Sequence, residues 1–246
     1  MRALILLCFT LFLSQAEAQQ FITSGSIEFE VRTNVHRQME GNDFFQRLKD
    51  QVPQFTTNYY SYSFAGNKSV YKFDRKGDTR NMPMFFGRGD DENIWYNDYT
   101  QKKFTNLITL EGYILMEGDQ KPVRWKIDPD DQRVIAGFNC RKAQTILFDS
   151  VYVFVYYTDE IKISGGPMGL HGLPGMILGV TVPRLFTSWV ATGVKAVTPA
   201  ATAIQLPTKG KKKPADEIKS DIEKLSKSWG GDSRKWLDQM LWRTLI

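Results

Sequence analysis

His171 and Cys140 are the residues in this 246-residue chain whose types best suit metal binding, proton transfer or nucleophilic attack. A zinc site takes three or four protein ligands, yet His36, Cys140 and His171 lie in distant segments without ligand spacing. His171 is therefore expected to be a hydrogen-bonded loop residue. Cys140 precedes Arg141 and Lys142, whose charges would favour a thiolate, but strand alternation points it inward together with Phe138 and no Cys-His-Asn spacing accompanies it. A buried structural thiol is expected. Acidic neighbours occur at Asp90-Asp91-Glu92, Asp130-Asp131 and Asp159-Glu160. Glycoside chemistry needs two carboxylates held about 5 to 9.5 Å apart across a cleft, whereas neighbours on turns face solvent. No G-x-S-x-G, Walker, H-E-x-x-H or EF-hand pattern occurs. The expectation is a non-enzyme with no metal and no cofactor. A cryptic hydrolase would require His171 and Cys140, or two carboxylates, to meet within hydrogen-bonding reach.

The most unusual stretch runs from Gly165 to Leu178. Its first eleven residues hold five glycines, at 165, 166, 169, 172 and 175, and two prolines, Pro167 and Pro174. That composition excludes a helix and a regular central strand. A solvated linker would carry Ser, Lys or Glu, but here Met168, Leu170 and Leu173 alternate with the glycines, so the loop is expected to be packed down. The candidate ligand-binding or partner-binding residues are Gly166, Pro167, Met168, Leu170, His171, Gly172, Leu173, Pro174, Gly175, Met176 and Ile177.

The elements that must hold this loop are strands. Ser26 to Val35 alternates with Ile27, Phe29 and Val31 on one face, the period of a half-buried antiparallel strand. Asn42 is a candidate N-cap for a short helix carrying Phe44, Phe45, Leu48 and Val52, ended by Pro53. Asn58–Phe64 and Ser69–Phe73 flank Ala65-Gly66-Asn67-Lys68 as a hairpin. Asp74 to Asp91, with Met82 to Phe86 inside it, reads as an exposed or lid-like excursion. Short strands follow at Ile94–Tyr96, Lys103–Thr105, Tyr113–Met116, Trp125–Asp128 and Arg133–Ile135, with Pro129 to Gln132 read as a hairpin turn. Cys140–Phe148, Val151–Tyr157, Met176–Val182 and Phe186–Val197 complete the set. Aromatic residues are abundant at Tyr59 to Phe64, Trp95-Tyr96 and Tyr152 to Tyr157, fitting a large β core or an apolar groove.

The ends differ in kind. Met1-Arg2, an apolar run from Ala3 to Leu13, and Ala16-Glu17-Ala18 form a secretory signal with cleavage expected after Ala18. The run is shorter than the ~20 residues of a membrane span, and no later stretch is long and apolar enough to be one. Cleavage removes one charge of each sign and leaves the +5 balance, part of which is the cluster Lys209 and Lys211 to Lys213, so a nucleic-acid partner is not expected. Cys140 is then the sole cysteine, which excludes an internal disulfide. From Lys209 the chain reads as a basic tether, with Pro214 starting a helix whose Ile218, Ile222, Leu225 and Trp229 form one stripe. Gly230-Gly231 breaks it, and Trp236, Leu237, Met240, Leu241 and Leu245 form a second amphipathic piece. The expected organisation is a signal peptide over 1–18, a curved β domain over 19–208, and a tether with helices over 209–246.

The segment Gly172-Leu173-Pro174-Gly175-Met176-Ile177 resembles the signature of the GLPGLI family of exported bacterial proteins, with Met176 standing for the second leucine. Ile135 to Ala143, Tyr156 to Ile161 and Gly166-Pro167 also look like that family. The resemblance is close from about Trp125 to Val182 and loose elsewhere. It implies export to the periplasm, the outer-membrane surface or the outside, and leaves the biochemical role open. Combined with the strand spacing, the expected architecture is mainly antiparallel β (α+β): a strongly curved sheet or incomplete barrel, similar to the half-barrel of lipoprotein carriers (LolA-like), with the glycine loop over its open side. The expected function is binding of an apolar small molecule or an outer-membrane protein in a groove under that loop. The alternative is a structural accessory docked on an outer-membrane transporter of the TonB-dependent type.

Overall fold

The computed structural model describes residues 21–40, 47, 49–77, 91–110, 112–227, 238, 239, 241, 242 and 244, with 225–227 described by their backbone. The expected signal peptide, Asn42, Phe44, Phe45, Leu48, Met82 to Phe86, Trp229, Trp236, Leu237, Met240 and Leu245 lie outside the described residues.

Alternation in the first strand builds the centre of the molecule. In β1 (Gly25–Asn34) the side chains of Ile27, Phe29 and Val31 are buried while their neighbours are more open, as period two requires. Asn34 ends the strand, and its Oδ1 accepts the Arg37 N–H at 3.1 Å to cap the single-turn α1 (Val35–Gln38). β2 (Phe55–Ala65) and β3 (Lys68–Lys76) form the expected hairpin, with Gly66 and Asn67 both at positive φ as a tight two-residue turn demands. The meander continues through β4 (Ile94–Asp98), β5 (Lys103–Thr109) and β6 (Tyr113–Asp119). A second run comprises β7 (Lys126–Ile135), β8 (Phe138–Leu147) and β9 (Val151–Thr158). After the glycine loop come β10 (Met176–Val182) and β11 (Thr187–Lys195), then β12 (Lys211–Pro214) and α2 (Ala215–Lys227).

Among the described residues twelve strands join one sheet in the order β12-β6-β5-β4-β3-β2-β1-β11-β10-β9-β8-β7. Every pairing is antiparallel except β12 with β6. Two facts show how far this sheet curls. From β6 across to β7 there are ten strand spacings, an arc of about 48 Å at ~4.8 Å each. The chain from Asp119 to Lys126 joins those same strands directly, and seven residue steps reach at most about 25 Å. The sheet must therefore bend back on itself, although among the described residues β12 and β7 remain its two unpaired ends and it does not close. The turn Pro167–Gly169, carried between β9 and β10, also touches β3 and β4, which lie several strands away in the order.

Pro129 to Gln132 is not a hairpin turn; Pro129 to Asp131 form a bulge within β7, Gln132 pairs with Arg141, and the turn into β8 is Ala136-Gly137, both at positive φ. Lys211 to Pro214 is not a tether: these residues form β12 beside Ile114 to Glu117 of β6. Lysine side chains suit such an edge because they project into water and oppose further pairing.

The main core holds Ile27, Phe29, Tyr62, Phe64, Tyr157, Ile177 and Leu178 among many others, and the glycine loop is part of it. A second, smaller cluster joins Ile108, Ile114 and Met116 of the sheet to Ile218 and Ile222 of α2 and to Leu241. Among the described residues no helix is long and apolar enough to cross a membrane.

Candidate functional site

The glycine loop is a filler for the inner face of the curled sheet. Met168, Leu170 and Leu173 are 5, 3 and 2 % exposed, and Met176 and Ile177 are fully buried. Gly166, Pro167 and Gly175 are buried as well, His171 is half-buried, and Gly172 and Pro174 face outward. Internal bonds hold this shape: Ile177 N–H donates to the Gly165 carbonyl at 2.9 Å, Gly175 N–H to Leu173 at 2.8 Å, and Gly172 N–H to Ser164 Oγ at 3.0 Å. Two glycines are sterically required. A Cβ on Gly165 would sit 2.3 Å from Tyr62 Oη and 2.4 Å from Tyr99 Oη, and one on Gly175 would sit 2.0 Å from the Thr158 carbonyl oxygen.

Beneath the loop lies a small hydroxyl network. Tyr99 Oη is 3.1 Å from Tyr62 Oη and 3.2 Å from Ser69 Oγ, and it accepts the Gly166 N–H. Burial pushes the Tyr62 hydroxyl well above the ordinary tyrosine range and raises Tyr99 too, so both stay protonated and serve as glue between sheet and loop.

The residues singled out for chemistry are occupied by structure. His171 Nδ1 lies 2.9 Å from the Gly169 carbonyl and Nε2 lies 3.1 Å from the Lys121 carbonyl, and the single N–H of a neutral imidazole donates to one of the two. Trp125 Nε1–H donates to the His171 carbonyl at 2.9 Å, so the β6–β7 connection is fastened across the loop. The second histidine, His36, bonds the Val52 carbonyl at 3.0 Å. Cys140 is fully buried, and burial pushes its thiol up to about 11, the opposite of an activated nucleophile. The acidic groups are paired: Asp131 with Lys142 at 2.7 Å and with the Tyr156 hydroxyl at 2.9 Å, Asp159 with Arg141, and Asp91 with Lys76 at 3.0 Å. Glu92 accepts the Tyr113 hydroxyl at 2.6 Å and Glu160 accepts the Thr158 hydroxyl at 3.4 Å. Asp130 N–H donates to Asp128 Oδ1 at 3.3 Å, while Asp90 lies outside the described residues. Among the described residues no three His, Cys, Asp or Glu side chains gather as a metal site would need.

Two features were not read from the sequence. The first is a buried polar row on β3, β4 and β5. Tyr71 stands opposite Trp95, and Trp95 opposite Asn106, with Asn97 two residues further along β4. Tyr71 Oη, Trp95 Nε1, Asn97 Nδ2 and Asn106 Oδ1 are all buried without a hydrogen-bond partner among the described residues. The Trp189 indole lies beside the Tyr71 hydroxyl, outside good hydrogen-bond geometry. Only strand register brings these residues together, so composition gave no signal.

The second is an apolar patch at the outer end of β8 and β9. Val151, Val153 and Val155 are buried, so Tyr152 and Phe154 point the other way. Ile146 stands opposite Tyr152; both are 50 % exposed, and Phe148 at the hairpin tip is 47 % exposed. Tyr152 and Phe154 stack with ring centroids 6.3 Å apart. The patch adjoins β7, one of the two unpaired ends of the sheet. Alternation of aromatics on both faces of Val151 to Tyr157 was the visible sign of it.

The molecule thus belongs to the class of open, curled antiparallel sheets with an internal loop filler. No family model matches the chain, and no curated protein matches it significantly. Among solved structures it is similar to PNGF-II in two crystal forms. The first has a TM-score of 0.54 at 15% identity, covering 83% of this chain and 34% of that one. The second has a TM-score of 0.52 at 15% identity, covering 82% and 33%. The chain therefore spans about a third of the length of PNGF-II, and the likeness is one of fold. It also aligns with MucB in the Pseudomonas aeruginosa MucA/MucB complex, at a TM-score of 0.34 and 11% identity over 80% of this chain and 60% of that one.

Proposed function

We propose that this chain is an exported, non-enzymatic binding protein of the cell envelope that docks a protein partner, an outer-membrane protein, through the patch of Ile146, Phe148, Tyr152 and Phe154. The carrying observation is that large apolar side chains are left half in water on a sheet whose inner face is filled by its own chain. Tyr, Phe and Ile beside a sheet edge provide rigid contact area of the kind that anchors protein interfaces. The signal-like N-terminus and the GLPGLI-like segment support the exported address. The curled open sheet supports an architecture akin to the half-barrel of lipoprotein carriers (LolA-like), here with the cradle occupied from within.

An apolar ligand under the loop is disfavoured by the same packing. Met168, Leu170 and Leu173 occupy the space that ligand would need, so the loop residues act as filler. The His171, Cys140 and carboxylate geometry described above supports a non-enzymatic role.

The test is co-purification from cell envelopes after cross-linking. Wild type is expected to retain a membrane partner, and the exposed substitutions Ile146→Asp with Tyr152→Glu to lose it while circular dichroism stays unchanged. Retention of the partner by that variant would overturn the docking surface. An apolar adduct in native mass spectra of wild type would restore the ligand-carrier reading.

A further inference from the structure

Resting on the docking surface of Ile146, Phe148, Tyr152 and Phe154, we infer that its protein partner binds through an acidic segment laid along a strip of exposed cations on the β6–β7 connection. Gln120 to Ile127 holds Lys121, Arg124 and Lys126 and not one carboxylate. All three cations are exposed, and so are Lys102 and Lys103 at the β4–β5 turn, which extend the strip. Among the described residues none of these five forms an ion pair. Elsewhere Lys76, Lys142, Lys212 and Lys213 are each held by a carboxylate. Asp98, opposite Lys103, is taken by Lys68 at 3.5 Å, and Asp131 by Lys142. The strip therefore keeps a positive field that the fold itself does not use.

The backbone that carries these charges is fastened at several points. Gln120 N–H donates to the Lys102 carbonyl at 2.8 Å, and Gln120 Nε2–H to Asn97 Oδ1 at 2.9 Å. Thr145 Oγ1–H donates to the Arg124 carbonyl at 2.9 Å, and Trp125 Nε1–H to the His171 carbonyl at 2.9 Å. These bonds use main chain and neutral side chains, so the charged ends are left to a partner and less backbone entropy is lost on binding. Strand register then carries the strip into the patch. Lys126 stands opposite Gln144, and Gln144 opposite Phe154, so the three share one face of the sheet across about 10 Å. Arg124 is bonded to Thr145, the neighbour of Ile146. An apolar centre bordered by cations is the arrangement of an interface whose rim selects a partner by charge. The tip of the β8–β9 hairpin favours a protein over a lipid surface: Asp149 is exposed beside Phe148, and an anionic headgroup layer would repel it.

The probe is a fluorescein-labelled synthetic peptide that alternates glutamate with phenylalanine, titrated with the mature chain and read by anisotropy. Its lysine–phenylalanine counterpart and vesicles of phosphatidylglycerol with phosphatidylcholine serve as comparisons. The acidic peptide is expected to bind, and to bind about tenfold more weakly at ~1 M salt, where the screening length falls to ~3 Å. Lys121→Gln, Arg124→Gln and Lys126→Gln together leave the backbone fastenings in place and should weaken binding about tenfold or more. Lys126→Gln alone should weaken it about threefold, and carries the test if the triple variant does not fold. Ile146→Ser with Tyr152→Ser changes no charge and probes the patch by itself. If that pair loses the membrane partner in co-purification while the glutamine variant keeps both partner and peptide, the acidic segment is overturned and the docking surface stands. Loss in neither variant overturns both. No binding of the acidic peptide, equal binding of the two peptides, or vesicle binding that the acidic peptide does not displace would each overturn the acidic segment as well.

Discussion

The inner face of the sheet is covered in two ways, and the contrast separates what builds the fold from what is added to it. Across β3 and β4 the cover is a loop without regular structure, yet its apolar side chains merge into the main core and its glycines sit where a single methyl group would collide with backbone or tyrosine oxygens. Across β5 and β6 the cover is the amphipathic α2, which buries Ile218 and Ile222 on a separate small cluster. Around it are ion pairs at the surface, Lys212 with Glu117 and Lys213 with Asp221. Regularity of backbone therefore says little about importance here. The irregular loop is sterically interlocked with the sheet, and the regular helix is laid on top.

Two pairs of substitutions, a pH titration and one surface substitution put this contrast to the test. Gly175→Ala should have the largest effect, about 3 to 5 kcal/mol by urea unfolding, because the added Cβ would stand 2.0 Å from the Thr158 carbonyl oxygen. Gly210→Ala, beside the Tyr113 carbonyl at 2.8 Å, should cost about 1 kcal/mol, since β12 can detach locally. Equal losses would mean that the two covers are one cooperative unit. Next, Leu173→Ala should cost about 3 kcal/mol and Ile222→Ala nearer 2 kcal/mol, because the smaller cluster is freer to collapse around a cavity.

The third concerns pH. The Cys140 thiol is pushed up to about 11 in the folded chain, above its ordinary value of 9.0, so the unfolded chain ionises first as pH rises. Stability due to this group is complete below about 9 and is lost as pH climbs towards 11, by about 2 kcal/mol. Cys140→Ala should flatten that part of the stability–pH curve. Tyr62 and Tyr71 are raised by burial and add a fall of the same sign at higher pH. The smallest effect is expected for Asp221→Asn. Lys213 holds the Asp221 carboxyl below the ordinary range, but both groups are solvated enough that thermal unfolding should not shift measurably.

Legibility in the sequence followed the same divide. Period two in Ile27, Phe29 and Val31 and the Gly66-Asn67 turn revealed the first hairpin, because those signals are local. The apolar teeth of the glycine loop showed that it packs down, while their number misled about the space beneath it: the loop fills the cradle it was expected to cover. Pro129-Asp130-Asp131 looked like stronger turn chemistry than Ala136-Gly137, since Ala136 adopts positive φ only because the hairpin imposes it. β12 escaped notice because four residues of Lys and Pro have no strand propensity, and parallel pairing with a strand about a hundred residues earlier leaves no local trace. The Tyr71–Trp95–Asn106 row depends on register across three strands and could be seen only once that register was known.

The Gly165–Leu178 loop is core and not lid, and hydrogen exchange of its amides reads out the difference. Gly175 and Ile177 donate to carbonyls within the loop at 2.8 and 2.9 Å, and both residues are buried. Their N–H groups should exchange only through global unfolding, as slowly as the amides of β1 that pair with β2 and β11. Exchange of the loop amides orders of magnitude faster than those of β1, in a protein otherwise folded, would show the loop to be a lid.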